Sequence, residues 1–105
     1  MYQDCGECLV PSNGSVKFYT VRFPRAGVVS DISVNTEGIP SGANMDVVLR
    51  DGESNEILRC PAVGFTTPAR HAVPANVQFS LWLSQTDGQE DIMVAADVAY
   101  VFQES

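Results

Sequence analysis

Three cysteines and one histidine are the residues of this 105-residue sequence that could bind a metal ion. Cys5 and Cys8 form a C-x-x-C pair, and Cys60 with His71 would complete the Cys3His set that holds zinc tetrahedrally. A single C-x-x-C is half of a zinc signature, and the interval from Cys60 to His71 matches no short zinc knuckle. A thioredoxin-like redox role would need a βαβ context, which the sequence lacks. We therefore predict no metal and no cofactor, and we expect thiols that pack in reduced form and anchor the N-terminal segment, or that form a disulfide.

His71 is also the one histidine available as a general base, and it lies in the loop sequence PARHAVP. A serine hydrolase would place a nucleophile beside such a base, commonly in a G-x-S-x-G turn. Ser12, Ser15, Ser41 and Ser80 are available, but none of them has that setting. We predict that His71 is a surface group and that the protein is not an enzyme.

Several carboxylates stand close together in polar turn sequences. Asp51 with Glu53 and Glu90 with Asp91 are the nearest pairs. Residues 87–91 contain enough acidic groups to suggest calcium, but they lack the D-x-D-x-D-G spacing of a calcium loop. The sequence also has neither a phosphate-binding loop nor a dinucleotide fingerprint. We interpret these carboxylates as solvated turn residues.

Composition and charge narrow the range of partners. A chain of this length with 45% hydrophobic residues can bury one core and has no room for a second domain. Its formal net charge of −7 repels nucleic-acid phosphates and anionic membrane surfaces. Residues 1–11 lack the apolar core of a signal peptide, and no apolar run is long enough to span a membrane. We expect a protein of the reducing cytosol that binds neither nucleic acid nor membrane.

The stretch from Gly27 to Arg50 organises the rest of the chain. Its first half puts Val28, Ile32 and Val34 on one face of a strand and Val29 on the other, which is the period of two that a half-buried strand requires. Its second half, NMDVVLR, alternates in the same way. The Pro and Gly residues between the halves exclude a helix, so the stretch predicts two strands joined by a turn.

Further strands are predicted on both sides of this stretch. Residues 15–23 are rich in β-branched and aromatic side chains, and residues 51–60 predict a turn and a short returning strand. Residues 60–76 form a long irregular connection with three prolines. Residues 77–84 return to clean alternation. Residues 92–103 are apolar on both faces, which predicts a strand at the centre of a sandwich or in a subunit contact.

Short strands at close spacing, without a helical period, predict an all-β fold: an antiparallel β-sandwich of the jelly-roll or immunoglobulin-like kind. Residues 15–105 would form this single domain. Residues 1–14 have no sustained periodicity, and we predict an N-terminal arm that reaches outside the sandwich to another protein chain. The predicted core consists of Ile32, Val34, Val47, Leu49, Phe79, Leu81, Val94, Val98 and Tyr100.

From Val21 to Phe102 the order of motifs resembles that of small β-sandwich structural proteins of tailed bacteriophage virions. The shared features are AG-x-V at residues 26–29, a turn of the I-P-S-G-A type at residues 39–43, the strand MDVVL, and the closing pair VQFSLWL and EDIMVAADVAYVF. The resemblance implies a decoration or appendage protein that binds a phage capsid or tail lattice without catalysis. It further implies a homo-oligomer located in the virion, which is assembled in the host cytoplasm.

Trp82 lies on the polar face of its predicted strand and opens a second hypothesis. Its ring either lies on a neighbouring strand or beneath the loop of residues 60–76, or it stacks on a ligand. A ligand platform would make the chain a small carbohydrate-binding module. Under the structural hypothesis, we predict that Tyr2, Leu9 and Val10 of the arm contact the partner, together with Trp82.

Overall fold

The computed structural model describes residues 2–40, 43–62, 65–67, 70–86, 88 and 90–104, and the side chains of residues 2–5 and 65 lie outside this description. The described strands are, in chain order, β1 (Tyr2–Val10), β2 (Ser15–Arg22), β3 (Gly27–Glu37), β4 (Asn44–Arg50), β5 (Glu56–Pro61), β6 (Phe65–Thr67), β7 (His71–Val73), β8 (Gln78–Thr86) and β9 (Ile92–Glu104). No helix of the described residues is long and apolar enough to cross a membrane.

The strands form two antiparallel sheets that pack face to face, so the predicted all-β sandwich is confirmed. The first sheet has the order β1-β9-β3-β6, with β7 also paired to β3. The second sheet has the order β2-β8-β4-β5.

The pairing pattern identifies the sandwich as a jelly roll. β1 pairs with β9, β2 with β8, β3 with β6 and β7, and β4 with β5, so the chain is an antiparallel ribbon folded back on itself. The ribbon then wraps into two sheets, because β9 also pairs with β3 and β8 also pairs with β4. Of the two predicted topologies, the chain adopts the jelly roll.

The core lies between the two sheets. All nine predicted core residues are buried, with exposures of 7% or less. At one end of the core, the hydroxyl groups of Tyr19 and Tyr100 share a hydrogen bond of 3.1 Å. The ring of Phe23 stacks on that of Phe102 with centroids 4.1 Å apart. The apolar residues that alternate along the predicted strands are therefore the side chains that both sheets contribute to the core.

β3 is irregular where the sequence predicts uniform alternation. Asp31 has a φ of 53°, and the register with β9 shifts around it. Such a bulge adds one residue to a strand and reverses the faces that follow. Val29 is consequently buried in the core with Ile32, whereas Val28 is half-buried, which corrects the predicted assignment of these two valines.

One other expectation about the connections is corrected. The two strands predicted in residues 27–50 are β3 and β4, which belong to different sheets. Residues 41 and 42 of the predicted turn lie outside the described residues. The connection of residues 60–76 contains β6 and β7, which have three residues each and are too short to produce a periodic signal.

The predicted arm takes a different form, because residues 2–10 are an edge strand of the first sheet. β1 pairs antiparallel with β9 and carries a bulge at Gly6, whose φ is 72°. Val10 is 0% exposed and belongs to the core. Ladder hydrogen bonds and this burial offset the entropy of ordering the segment, whereas the sequence predicts that contact with another chain does so.

Candidate functional site

The residues considered for zinc lie on separate strands. Cys8 is on β1, Cys60 on β5 and His71 on β7, and both of these cysteines are free thiols. The side chain of Cys5 lies outside the described residues. Among the side chains that are described, no three of His, Cys, Asp or Glu are grouped closely enough to hold a metal ion. The Cys8 thiol donates to the carbonyl oxygen of Val94 at 3.7 Å, and burial raises its pKa, as expected of a packing thiol.

His71 is half-buried rather than on the surface. It lines a small cavity of about 30 Å³ together with Tyr19, Phe23 and Tyr100. Its Nε2 atom is buried and has no hydrogen-bond partner among the described residues. No carboxylate in the described part of the chain lines this cavity.

Gln85 connects the two loops at one end of the sandwich. Gln85 is the last inward-facing residue of β8 and is 2% exposed. Its Nε2 donates to the carbonyl oxygens of Pro11 and Glu90, each at 3.2 Å. Its backbone N–H donates to the carbonyl oxygen of Gly14 at 2.8 Å. Asp87, which was considered for calcium, lies outside the described residues.

Two turn carboxylates accept backbone hydrogen bonds. Asp91 accepts from the backbone N–H of Ser12 at 2.9 Å. Asp51 accepts from the backbone N–H groups of Asn55 and Glu53, each at 2.9 Å, in the hairpin between β4 and β5. The bond from Asn55, followed by that from Glu53, lowers the pKa of Asp51. Both carboxylates therefore have a structural use.

The outward surface of the second sheet, here called the basic face, concentrates positive charge. Residues directly opposite in an antiparallel pair share a face, and the register places four of the six Lys and Arg residues of the chain on this surface. The basic face includes Lys17, Thr20, Arg22, Asp46, Val48, Arg50, Glu56, Arg59, Gln78, Ser80, Trp82 and Ser84.

Trp82 lies at the centre of the basic face. Its Nε1 donates to the Ser80 hydroxyl at 2.8 Å. The guanidinium carbon of Arg50 is 5.2 Å from the ring centroid and the Lys17 Nζ is 5.9 Å away, both within cation–π range. Val48, directly opposite Trp82, is fully buried although it belongs to the outer face, so its neighbours must cover it. The half-buried indole thus lies against a neighbouring strand and between cations.

Arg59 neutralises both carboxylates of the basic face. Its Nη1 is 3.1 Å from Asp46 Oδ2, and its Nη2 is 3.0 Å from Glu56 Oε1. Hydrogen bonds to Glu56, and then to Asp46, raise the pKa of Arg59. The other three cations of the basic face form no ion pair with a described carboxylate. This surface therefore keeps an excess of positive charge.

The outward surface of the first sheet, here called the acidic face, has the opposite sign. The register brings Glu7 of β1 and Glu37 of β3 to the two sides of Ala95 on β9, with Asp97 two residues further along. None of its described residues is Lys or Arg. The acidic face includes Glu7, Leu9, Ser30, Ser33, Asn35, Glu37, Met93, Ala95, Asp97, Ala99 and Val101.

Apolar side chains are also exposed on the acidic face. Leu9 of β1 lies directly opposite Met93 of β9, and the two are 50% and 51% exposed. Val101 lies further along the same strand and is 43% exposed. The acidic face therefore combines a cross-strand apolar pair with carboxylates.

The structure places the four predicted contact residues differently. Leu9 is exposed on the acidic face, and Trp82 is half-buried on the basic face. Val10 is a core residue, so its predicted contact with a partner is corrected. Tyr2 pairs through its backbone opposite Ala99, and its side chain lies outside the described residues. The sequence analysis missed Met93 and the two charged faces, because only the strand register brings these residues together.

No protein-family model matches this sequence, and no curated protein sequence matches it. Among solved structures, a chain in the structure of infectious bursal disease virus, Gx strain, is similar with a TM-score of 0.44 and 8% sequence identity. The similarity covers 97% of this chain and 31% of that chain, so this chain spans about a third of that chain's length. At this identity and TM-score, the likeness supports neither a family assignment nor a function.

Proposed function

We propose that this chain is a non-enzymatic structural protein of a phage virion. It binds a capsid or tail lattice through protein–protein contacts and thereby decorates or stabilises that lattice. The observation that carries this proposal is the exposed pair of Leu9 and Met93 beside the open edge of β1.

The edge of β1 is suited to protein contact. Among the described residues, no strand pairs with the side of β1 that faces away from β9. An unpaired edge offers backbone N–H and C=O groups to another chain. Three of the four large apolar side chains that are exposed in the described residues lie on the acidic face, and Leu9 belongs to the edge strand itself. Apolar burial and backbone hydrogen bonds can therefore act at the same place.

The environment of Trp82 favours protein contact over sugar binding. Jelly rolls occur in viral capsid domains and in lectins, so the fold by itself supports both hypotheses. A carbohydrate-binding module would present a free aromatic ring flanked by carboxylates. Trp82 instead lies near Lys17 and Arg50 and donates its N–H to Ser80. The carbohydrate-binding module is therefore the weaker alternative.

Virion composition tests the proposed function directly. Particles purified from a culture that produces this chain should contain it in many copies, as measured by mass spectrometry of the particle proteins. Absence of the chain from purified particles, or retention of the isolated chain on a glycan array, would contradict the proposal.

A variant tests the surface that carries the proposal. Leu9→Ser with Met93→Ser should leave the melting temperature within a few degrees of the wild type and reduce incorporation into particles, because the two side chains are already half exposed. Ile57→Ser is the matched control, since Ile57 is exposed on β5 of the other sheet. Equal incorporation of both variants would show that the apolar pair has no role in binding.

A further inference from the structure

We propose that a second copy of this chain binds head to tail, with the basic face of one copy docked on the acidic face of the next. This inference rests on the proposed function, because it names the partner of the acidic face within a structural assembly.

The two faces match in charge. Lys17, Arg22 and Arg50 of the basic face have no described carboxylate within ion-pair distance. The acidic face carries three carboxylates, those of Glu7, Glu37 and Asp97, and its described residues include no cation. Three unpaired cations on one surface thus correspond to three unpaired carboxylates on the opposite surface.

The two faces also match in spacing. Lys17 on β2 and Arg50 on β4 flank the central strand β8, opposite Trp82 and Ser80 and thus offset by two residues. Glu7 on β1 and Glu37 on β3 flank the central strand β9, both opposite Ala95. Because neighbouring strands are about 4.8 Å apart, each pair spans roughly 10 Å across its sheet. One copy can therefore place two cations over two carboxylates at once when its strands cross those of the next copy at an oblique angle that compensates for the two-residue offset.

Apolar contact and area support the same arrangement. The exposed pair of Leu9 and Met93 lies on the acidic face, and the half-buried ring of Trp82 lies on the basic face. A methionine sulfur beside an aromatic ring is a favourable contact. The Cα envelope measures 44 by 23 by 21 Å, so one face offers roughly 1,000 Å², compared with about 800 Å² buried per partner in a standard interface.

A contact between two different surfaces repeats from copy to copy. Such heterologous contacts close into rings or continue as filaments, which suits a protein that covers a lattice. The net charge of −7 opposes association in general. Docking of opposite faces overcomes this repulsion locally, and we therefore expect the contact to depend on ionic strength, because the screening length falls from roughly 10 Å at 0.1 M salt to about 3 Å at 1 M.

Sedimentation velocity of the purified chain, compared between low and high salt, tests the contact. The wild type should associate at low salt and dissociate at high salt. Glu7→Lys with Glu37→Lys should weaken association by roughly a hundredfold, since like charges then oppose each other. Lys17→Glu with Arg22→Glu should do the same. Glu53→Lys with Glu90→Lys is the control, because it changes the net charge by the same amount as the first variant but lies in exposed turns.

An equimolar mixture of the two face variants gives the decisive result. One variant has two basic faces and the other has two acidic faces, so each alone should be monomeric while the mixture should form alternating assemblies. Melting temperatures near that of the wild type establish that all variants are folded.

Several outcomes would overturn the head-to-tail contact. One is association that persists in either face variant, and another is a mixture that stays monomeric. A third is a wild type that stays monomeric at low salt while its basic face binds polyglutamate. A chain that is monomeric alone yet abundant in purified particles would overturn this inference and leave the proposed function intact. A chain that associates but is absent from particles would do the reverse.

Discussion

Leu9 and Val10 are consecutive residues with opposite environments. The side chain of Leu9 is 50% exposed, whereas that of Val10 is fully buried. Successive side chains of a strand point to opposite faces of its sheet, so one residue can contribute to the surface and the next to the core. The sequence predicts one partner contact for both residues, because the first segment shows no sustained period from which two faces could be separated.

The same contrast can be measured with two leucines. Leu81→Ala should lower the free energy of unfolding by roughly 2–5 kcal/mol, because the change removes apolar burial and leaves a cavity in the core. Leu9→Ala deletes the same atoms at a half-exposed site and should cost much less. Denaturant titration of both variants measures the difference, and a cost below about 1 kcal/mol for Leu81→Ala would remove it from the core.

Asp51 gives the hairpin between β4 and β5 a dependence on pH. Its pKa lies below the ordinary 3.8 because the backbone N–H groups of Asn55 and Glu53 donate to the ionised carboxylate. A lowered folded-state pKa contributes stability that is present above pH 3.8 and is lost as the pH falls through the folded-state value. The melting temperature of Asp51→Asn should therefore fall less steeply below that pH than the melting temperature of the wild type.

Glu53→Gln is the control for this measurement. The side chain of Glu53 is exposed, and its contribution to the turn is a backbone N–H that the substitution keeps. Parallel pH profiles for the wild type and Asp51→Asn would contradict the assigned role of the Asp51 carboxylate.

At the scale of the element, β1 has two functions that a deletion separates. It completes the first sheet beside β9, and it exposes Leu9 at an open edge. Deletion of residues 1–10 should lower the melting temperature substantially, because the ladder to β9 and the burial of Val10 are both lost. Deletion of residues 1–4 alone keeps Val10 and should cost much less. Equal melting temperatures for the wild type and the longer deletion would show that residues 1–10 are not part of the stable sandwich.

The elements also show what the sequence could predict. Alternation identified the inward residues of β4, β8 and β9 correctly, since a regular strand keeps its period of two. It failed at Asp31, where a bulge with positive φ reverses the faces. It could not group Glu7, Glu37 and Asp97, which are far apart in sequence and become neighbours only through the register of three strands. The candidate faces are therefore a property of strand pairing.

At the scale of the whole molecule, the jelly-roll ribbon pairs the first strand with the last. β9 has 13 residues and lies between β1 and β3, so the first sheet lacks its centre until the end of the chain is present. The opposite charges of the two outer faces likewise exist only when both sheets are complete. The proposed assembly through these faces thus requires the whole sandwich.

A circular permutant tests whether folding requires the presence of β9 or also its position after the other strands in the chain. Deletion of residues 92–105 should abolish cooperative unfolding, because β1 and β3 lose the strand that joins them. A chain that begins at Glu90, which is exposed, and is joined from residue 105 to residue 1 should fold, since exposed turn residues tolerate new termini. The pairing of Tyr2 with Ala99 leaves five residues of β9 beyond the start of β1, a gap of about 17 Å that a linker of about eight residues spans.

The melting temperature of the permutant should be lower than that of the wild type, because opening the loop weakens the hydrogen bonds of Gln85 to Glu90 and of Ser12 to Asp91. Circular dichroism during heating distinguishes the two chains, and a cooperative transition in the truncated chain would contradict the central place of β9.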